Sequence, residues 1–372
     1  MQDSLAVFSN DLGASFIDFH VSALAPGRTV AIGRYGAVEL GNRWTVSCPS
    51  LLLDRWASGL PVRLATRAGI PLRRLRDRAV AGFLARHGAR VVLGEYLDDF
   101  LEFVPLVERM GLPYVVQGHG VDVSAAIRRP GMAERYLAYR SARAVLTRSE
   151  FHRQRLIGLG LPASIVHVNR GGVHVPAAPP ARPARAAKRL LAIGRLVPKK
   201  GPFYLFESFR RAAARDAELT LDYVGGGPLL WVARQFAEAA GLQDRIRWHG
   251  GLSEDAKVAL LVECGVFVQH SVVDEASGDE EGLPASIQEA MAYGMAVVAT
   301  RHAGIPEAVH HGTTGLLVEE RDVDGMAEAL LAVQDTAVEM GLSGHAEAVK
   351  HHDWRHEERR LRSWLLESTT TQ

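Results

Sequence analysis

Short apolar runs alternate with amphipathic stretches along most of this chain. The apolar runs have the length of buried strands, and they begin near residues 5, 90, 114, 144, 165, 190, 219, 246, 266 and 296. Helical spacing of apolar residues follows several of them, as in the segment Phe103–Met110. This alternation predicts α/β domains built on parallel sheets, in which ligands bind beyond the carboxyl ends of the strands.

One shift in composition divides the chain. Residues 176–189 are rich in proline, alanine and basic side chains and cannot bury a core, so we predict an interdomain linker there. A length of 372 residues suits two domains, which we place at 1–175 and 190–351. The tail holds a charged amphipathic helix, Trp354–Leu366, and its pattern alone leaves open which domain it packs against.

Composition and charge exclude some classes of protein. The formal net charge is +1, the hydrophobic content is 47%, and no apolar run is long enough to cross a bilayer. The N-terminus MQDSLAVFSN lacks the basic and apolar regions of a signal peptide, so we expect a cytoplasmic protein. Cys48 and Cys264 fit no metal-ligand spacing, and we expect reduced thiols and no metal site.

The balanced total charge hides a basic stretch at residues 63–90. Apolar residues are interleaved there with eight arginines, and Asp77 is the single acid. The arginines are Arg63, Arg67, Arg73, Arg74, Arg76, Arg78, Arg86 and Arg90. The stretch is either a helix pair with a solvated basic face or a surface that contacts an anionic membrane or a diphosphate-linked acceptor.

Three glycine-containing loops follow predicted strands, where backbone N–H groups can approach a diphosphate. Gly13 lies in the first loop. The second, GRLVPKKG at 194–201, carries Arg195 and Lys200, which either bind phosphate oxygens or are surface cations near a helix start. Gly226 lies in the third, which does not satisfy the G-x-G-x-x-G fingerprint of dinucleotide-binding proteins.

A histidine follows the predicted strand Tyr114–Gln117, in the string GHGVD. His119 therefore lies at the edge of the sheet where ligands bind, and it can donate to a sugar hydroxyl or share a developing charge. Alternatively, it only caps the next helix. Asp122 follows three residues later.

Two glutamates bracket a predicted helix start in the second domain. Pro284 lies in the first turn of this helix, and Gly294 ends it. The first turn leaves backbone N–H groups without helical acceptors, at the positive end of the helix dipole, and these groups can bind an anion. They belong to Gly282, Leu283, Ala285 and Ser286. Glu281 and Glu289 either lean toward one ligand or face water on an amphipathic helix.

The segment EGLPASIQEAMAYGMAVVAT, in which seven residues separate Glu281 from Glu289, resembles the paired-glutamate motif of the retaining glycosyltransferases of family four. GRLVPKKG resembles the phosphate motif of that family, and GHGVD resembles its HGxD segment. The resemblance covers nearly the whole chain. Within the family, the chain is most similar to colanic-acid and other exopolysaccharide biosynthesis glycosyltransferases.

This resemblance implies the GT-B fold: two Rossmann-like doubly wound domains facing across a cleft, with the terminal helix in 352–372 completing the first domain. It also implies roles for individual residues. Glu281, His119, Lys200 and Arg195 would be catalytic. The donor-binding set would be Arg195, Lys200, Gly282, Leu283, Pro284, Ala285, Glu289, Gly226, Gly13 and Asp122, with Glu289 on the ribose and Asp122 in support of His119.

The implied activity is metal-independent transfer of a hexose from a nucleotide-diphosphate sugar, with retention of anomeric configuration and without a cofactor. We expect a UDP-sugar donor, with a GDP-sugar as the second choice, and a hydroxyl of a glycan, lipid-linked or small-molecule acceptor. No nucleic acid partner is expected. The alternatives are a nucleotide-sugar 2-epimerase on a related scaffold and a noncatalytic sugar-nucleotide-binding protein. The missing dinucleotide fingerprint makes a nicotinamide dehydrogenase the weakest alternative.

Overall fold

A computed structural model describes residues 4–12, 17, 20–25, 27–35 and 48–366 of the protein. The chain divides into two compact units. Unit 1 comprises residues 1–147, 153–169 and 358–372, and unit 2 comprises residues 148–152 and 170–357. The stretch 176–189, for which the sequence predicts a linker, lies within unit 2, where Ala186 and Ala187 are buried.

Unit 1 is built on a parallel sheet with the strand order β3-β2-β1-β4-β5-β6-β7 over the described residues. The strands are β1 (Ser4–Phe8), β2 (Thr29–Gly33), β3 (Ser50–Leu52), β4 (Ala89–Glu95), β5 (Tyr114–Gln117), β6 (Ala144–Thr147) and β7 (Val166–Val168). The order reverses between β1 and β4, so a crevice opens at the carboxyl ends of these two strands.

Unit 2 contains a second parallel sheet, with the order β10-β9-β8-β11-β12-β13. Its strands are β8 (Arg189–Ile193), β9 (Thr220–Val224), β10 (Ile246–Gly250), β11 (Val266–Gln269), β12 (Ala296–Thr300) and β13 (Gly315–Val318). Numbered within the unit, this is the 3-2-1-4-5-6 order of dinucleotide-binding domains, and the order reverses between β8 and β11.

Helices connect the strands, as expected for parallel pairs. In unit 1 the α-helices include Leu53–Ala57, Leu60–Arg67, Leu72–Arg86, Leu97–Phe100, Val104–Arg109 and Met132–Tyr136. Glu150–Gly158 begins in unit 2 and continues into unit 1. In unit 2 they include Pro202–Arg215, Leu230–Ala239, Glu254–Glu263, Ala285–Ala292, Val323–Ala332 and Ala337–His351. Trp354–Leu366 is the last helix of the described chain.

Each sheet is buried on both faces. In β1, Leu5 and Val7 pack into one core cluster, whereas Ala6 and Phe8 pack into another. The second sheet also has a core cluster on each face, because Leu190 and Leu191 of β8 pack into different clusters. Continuous apolar strands are typical of parallel sheets covered by helices on both sides, and this explains the short apolar runs in the sequence.

The C-terminal helix Trp354–Leu366 starts in unit 2 and ends in unit 1. Leu361 and Leu365 are buried in the same core cluster as Leu5 and Val7. Arg143 also donates to the carbonyl oxygens of Trp364 and Leu365, at 3.2 and 3.0 Å. This packing resolves the alternative that the sequence left open, because the helix does not pack on the second unit alone. Within the described residues, no helix combines the length and the apolarity needed to cross a bilayer.

Candidate functional site

The loop after β8 brings Lys200 back over the end of that strand. Residues Pro198–Lys200 form a short 3-10 turn, and Gly201 adopts φ +51° before the helix Pro202–Arg215 begins. A Cβ at Gly201 would lie 2.1 Å from the carbonyl oxygen of His270, so only glycine fits there. Because this loop packs closely against the segment after β11, the backbone of Lys200 is held in a defined position.

Lys200 pairs with the first of the two predicted glutamates. Its ammonium nitrogen lies 3.0 Å from Oε1 of Glu281, and the two side chains are only 15% and 10% exposed. Burial alone would raise the pKa of Glu281, but the charges of Lys200 and Lys199 outweigh it and hold the pKa below its ordinary value. Glu281 is therefore an ionised, buried carboxylate rather than an acid that faces water.

The backbone of Glu281 is held by a histidine that the sequence analysis did not identify. The Glu281 N–H donates to Nε2 of His302 at 3.1 Å, and Nδ1 of His302 lies 2.6 Å from Oε1 of Glu320. Because Nε2 accepts, Nδ1 carries the proton and donates to Glu320. The other oxygen of Glu320 accepts from the Val273 N–H at 3.0 Å, so this carboxylate connects the loops after β11, β12 and β13.

The helix after Glu281 begins as the sequence predicts. It spans Ala285–Ala292 with Pro284 at the N-cap position, and Gly294 follows its end at φ +69°. None of the backbone N–H groups of residues 282, 283, 285 and 286 donates to an atom of the described residues. The Ser286 hydroxyl instead donates to Oε1 of Gln269, the last residue of β11, at 3.1 Å. The first turn of the helix thus has donors that can bind an acceptor from outside the described residues.

The glycine loop after β9 packs against the loop after β8. The Leu196 N–H donates to the Gly226 carbonyl oxygen at 2.8 Å. Gly225 and Gly227 have φ +130° and +148°, and a Cβ on either would lie within 3 Å of the backbone after β8. A Cβ on Gly226 would meet nothing within 4 Å. The two outer glycines are therefore needed for the turn, whereas Gly226 keeps open space in front of it.

Glu289 and Arg195 have different surroundings from the Lys200–Glu281 pair. Glu289 lies on the helix Ala285–Ala292, and its Oε1 is 2.6 Å from the ammonium nitrogen of Lys257. Burial raises the pKa of Glu289, and the charge of Lys257 opposes that rise only in part. Arg195 is exposed and forms no ion pair with any residue that the structure describes. Its charge is available to a ligand.

Unit 1 has its own buried carboxylate at the corresponding edge of its sheet. Glu95 ends β4 and is fully buried, with Oε2 at 2.6 Å from Nε2 of His119 and Oε1 at 2.7 Å from Nδ1 of His20. Burial raises the pKa of Glu95, but the charges and hydrogen bonds of the two histidines lower it to about 2. The ring of His119 also lies 4.4 Å from that of Tyr96, which has φ +62°.

Asp122 holds the loop that carries His119. Its Oδ1 accepts from the N–H groups of His119 and Gly120, at 2.8 and 2.9 Å, and its Oδ2 accepts from the Leu97 N–H at 2.8 Å. These bonds engage both oxygens of a fully buried carboxylate, so Asp122 positions His119. Gly13, the remaining predicted site residue, lies outside the described residues.

Several residues of these clusters were not identified in the sequence, and two of them carry a signal. Glu95 is the acid that directly ends an apolar strand, and His302 follows β12 by two residues. Polar residues just beyond a parallel strand are candidates for a site. Lys257 has no such signal, because it lies inside the helix Glu254–Glu263. Among the described residues, no group of three or more His, Cys, Asp or Glu side chains could hold a metal ion.

Comparison with known proteins identifies the family. A model of the glycosyl transferases group 1 matches residues 181–337, which include the Lys200–Glu281 pair. A GDP-mannose-dependent alpha-(1-6)-phosphatidylinositol monomannoside mannosyltransferase of Mycolicibacterium smegmatis is 30% identical over 283 residues, covering 70% of this chain and 72% of the relative. The chain belongs to the glycosyl transferases group 1 family. Its predicted similarity to exopolysaccharide enzymes is also confirmed.

That similarity is to the putative colanic acid biosynthesis glycosyltransferase WcaL of Escherichia coli K12, which is 32% identical over 218 residues. The match covers 58% of this chain and 53% of WcaL, so the chain spans about half the length of the first curated relatives.

A solved structure confirms the predicted GT-B fold. Anabaena Alr3699/HepE in complex with UDP superposes with a TM-score of 0.76 over 97% of this chain and 98% of that protein, at 16% identity. A likeness at this identity concerns the fold. Group 1 membership therefore rests on the sequence matches, and the two-sheet architecture is shared with HepE.

Proposed function

We propose that this protein transfers a hexose-type sugar from a nucleoside-diphosphate sugar to a hydroxyl of a glycan, lipid-linked or small-molecule acceptor, with retention of anomeric configuration and without a metal ion. The observation that carries the proposal is the buried Lys200–Glu281 ion pair, immediately before a helix start with unpaired N–H donors. A cation, a carboxylate and free backbone donors together suit a ligand that joins a diphosphate to a sugar.

Two charges develop during glycosyl transfer, and the site offers a partner for each. The departing diphosphate gains negative charge, which the ammonium of Lys200, the guanidinium of Arg195 and the free N–H groups of the helix start stabilise. The sugar ring gains positive charge, which the ionised Glu281 stabilises. Because Lys200 lies against Glu281, it can contact the diphosphate while shielding the carboxylate from it.

The bonds change on one face of the sugar. The bond from the anomeric carbon to the diphosphate oxygen breaks, and the acceptor oxygen forms its bond to that carbon from the same side. The proton of the acceptor hydroxyl moves to the departing phosphate oxygen. Glu289 holds the ribose hydroxyls, and Lys257 orients Glu289. In unit 1, His119 offers its ring to a sugar hydroxyl, and Glu95 and Asp122 fix that ring and its loop.

The relatives support two donor bases. The mycobacterial relative is GDP-mannose-dependent by name, and HepE binds UDP. We keep the UDP-sugar as the first donor to test and the GDP-sugar as the second. Both offer the same diphosphate to Lys200, so a screen that varies only the base and the sugar identifies the donor without changing the expected contacts.

Gly226→Ala tests the donor site with little risk to the fold. The new methyl group enters open space in the free protein, so we expect an unchanged melting temperature without ligand. If the donor occupies that space, its affinity falls by on the order of tenfold, which a thermal-shift titration with UDP- and GDP-sugars measures. Gly251→Ala is the matched control, because its methyl group also meets nothing within 4 Å.

Two results of the donor titrations would contradict the proposed donor site. Unchanged affinity of Gly226→Ala for every bound nucleotide sugar, or no stabilisation of the native chain by any of them, contradicts the donor site. Product analysis separates the alternative functions. Donor incubated without acceptor yields an epimer if the protein is a 2-epimerase, and donor that binds tightly but is never consumed, with any acceptor class, indicates a noncatalytic binding protein.

A further inference from the structure

The basic stretch of unit 1 starts within a helix that contributes no side chain to a core. The segment Leu60–Arg78 comprises the helix Leu60–Arg67, a turn, and the first half of the helix Leu72–Arg86. No residue of the helix Leu60–Arg67 is buried. Along the second helix the first buried side chain is Val80. The segment therefore lies on the surface of the unit for its whole length.

Large apolar side chains in this segment face the solvent. Leu60 is 67% exposed and Leu64 is 53% exposed, and they lie one helical turn apart on the same face. Ile70 and Leu72 flank the turn between the helices and are also exposed. Single exposed apolar side chains are common in proteins, but four large ones within one short surface segment indicate a binding surface.

Unpaired arginines are interleaved with these apolar residues along the segment. Within the described residues, five arginines of the segment are exposed and form no ion pair: Arg63, Arg67, Arg73, Arg74 and Arg78. Arg76 differs, because it pairs with Glu102 and Asp77. The sequence contains no acid from Leu60 to Arg76. The segment thus presents strong local positive charge on a chain whose formal net charge is only +1.

We propose that the segment Leu60–Arg78 docks the protein onto an anionic phospholipid bilayer. Leu60, Leu64, Ile70 and Leu72 enter the boundary between headgroups and acyl chains, and the five unpaired arginines contact lipid phosphates. Apolar insertion and attraction to anionic lipids reinforce each other in such interfacial helices, because neither alone holds a short helix firmly.

The composition of the segment argues against other partners. Nucleic acid would use the arginines but would leave the leucines in water, and residues 60–78 contain no aromatic side chain on which a base could stack. A second copy of the chain would bring two identical basic surfaces together, which is unfavourable. A bilayer satisfies the apolar and the charged side chains at once.

Vesicle sedimentation with the full chain tests this proposal. We expect binding to vesicles of equal parts phosphatidylglycerol and phosphatidylcholine, little binding to phosphatidylcholine alone, and weaker binding at an ionic strength of about 1 M, where the Debye length is only ~3 Å. The double variant Leu60→Ser/Leu64→Ser and the double variant Arg73→Gln/Arg74→Gln should each reduce partitioning by on the order of tenfold. All four positions are exposed, so the melting temperatures should stay unchanged.

Matched controls come from exposed positions elsewhere. Val338→Ser/Leu342→Ser removes apolar side chains of 60% and 56% exposure in unit 2, and Arg128→Gln/Arg185→Gln removes two exposed arginines. Both controls should bind vesicles like the native chain. The proposal is overturned if the native chain does not bind anionic vesicles, or if segment and control variants lose binding equally. It also fails if the segment variants change only binding to single-stranded RNA or the oligomeric state.

Discussion

The two sheets of this protein place a buried glutamate at corresponding edges, but they give it different partners. Glu281 follows β11 in unit 2 and pairs with Lys200, at 3.0 Å. Glu95 ends β4 in unit 1 and lies between His20 and His119, at 2.7 and 2.6 Å. β4 and β11 are each the strand next to the first strand of their sheet, where the strand order reverses.

This difference separates a carboxylate next to unpaired backbone donors from a carboxylate enclosed by its partners. The ammonium of Lys200 lies against Glu281, and backbone donors without acceptors among the described residues follow Glu281 directly. Glu95 and His20 are fully buried. One oxygen of Asp122 accepts from the loop of His119, and the other accepts from the Leu97 N–H. Similar folds and similar acids therefore support different tasks, because the charge and exposure of the partner decide what else the carboxylate can contact.

The largest expected effect comes from Glu281→Gln, which keeps the size of the side chain and removes its charge. If Glu281 stabilises the charge of the sugar ring, turnover of the nucleotide sugar should fall by on the order of 10²–10³-fold, because stabilisation by a preorganised charge in a buried site is strong. Donor binding should persist through Lys200 and the helix start. Steady-state kinetics and a donor thermal shift measure both quantities.

Glu275→Gln is the control for that variant, because Glu275 lies in the same loop but is mostly exposed and pairs with Arg321. Its turnover should match that of the native chain. Native-like turnover of Glu281→Gln would remove the assigned role and, with it, the contrast between the two glutamates.

Glu95→Gln should affect stability instead. The pKa of Glu95 in the folded chain is lowered to about 2, so its ionised form stabilises the fold at all pH values above its ordinary pKa of 4.5. We expect Glu95→Gln to lower the free energy of unfolding by on the order of 3 kcal/mol at neutral pH. The loss should shrink as the pH falls from 4.5 toward 2. Urea unfolding of both proteins across this pH range measures it.

Glu102→Gln controls for loss of a surface ion pair in the same unit, because Glu102 is half exposed and pairs with Arg76. Its effect should stay below about 1 kcal/mol. A difference between native chain and Glu95→Gln that does not vary with pH would show that the histidines do not stabilise the carboxylate.

The smallest effect tests the hydrogen bond that holds Glu281. His302→Ala removes the acceptor of the Glu281 N–H, and we expect kcat to fall by on the order of tenfold with little change in KM, because the carboxylate loses its fixed position. His302→Gln offers an amide oxygen as acceptor and should recover most of kcat. If His302 only supports the fold, His302→Gln should not recover kcat.

His311→Ala is the matched control, because Nδ1 of His311 also accepts a backbone N–H, that of Leu317, at 3.0 Å. Its kcat should equal that of the native chain. Equal losses for His302→Ala and His311→Ala would mean that the bond to Glu281 has no particular importance for turnover.

Much of the local structure could be predicted from the sequence. Pro284 and Gly294 delimit the helix between them, because proline and glycine impose backbone conformations that neighbouring residues do not override. The apolar runs predicted parallel strands for the same kind of reason, since strands covered on both faces need unbroken apolar sequence. The string GRLVPKKG likewise predicted a loop between a strand and a helix, and Lys200 lies in that loop.

Other features depended on packing between distant segments. Glu95 meets His119 only because β4 lies beside β5 in unit 1. Glu281 meets His302 only because β11 lies beside β12 in unit 2. The sequence by itself determined which elements form and which loops could carry a ligand, because those properties are local. Only the tertiary structure decided which acid meets which base, because an ion pair depends on distances that no single segment of chain contains.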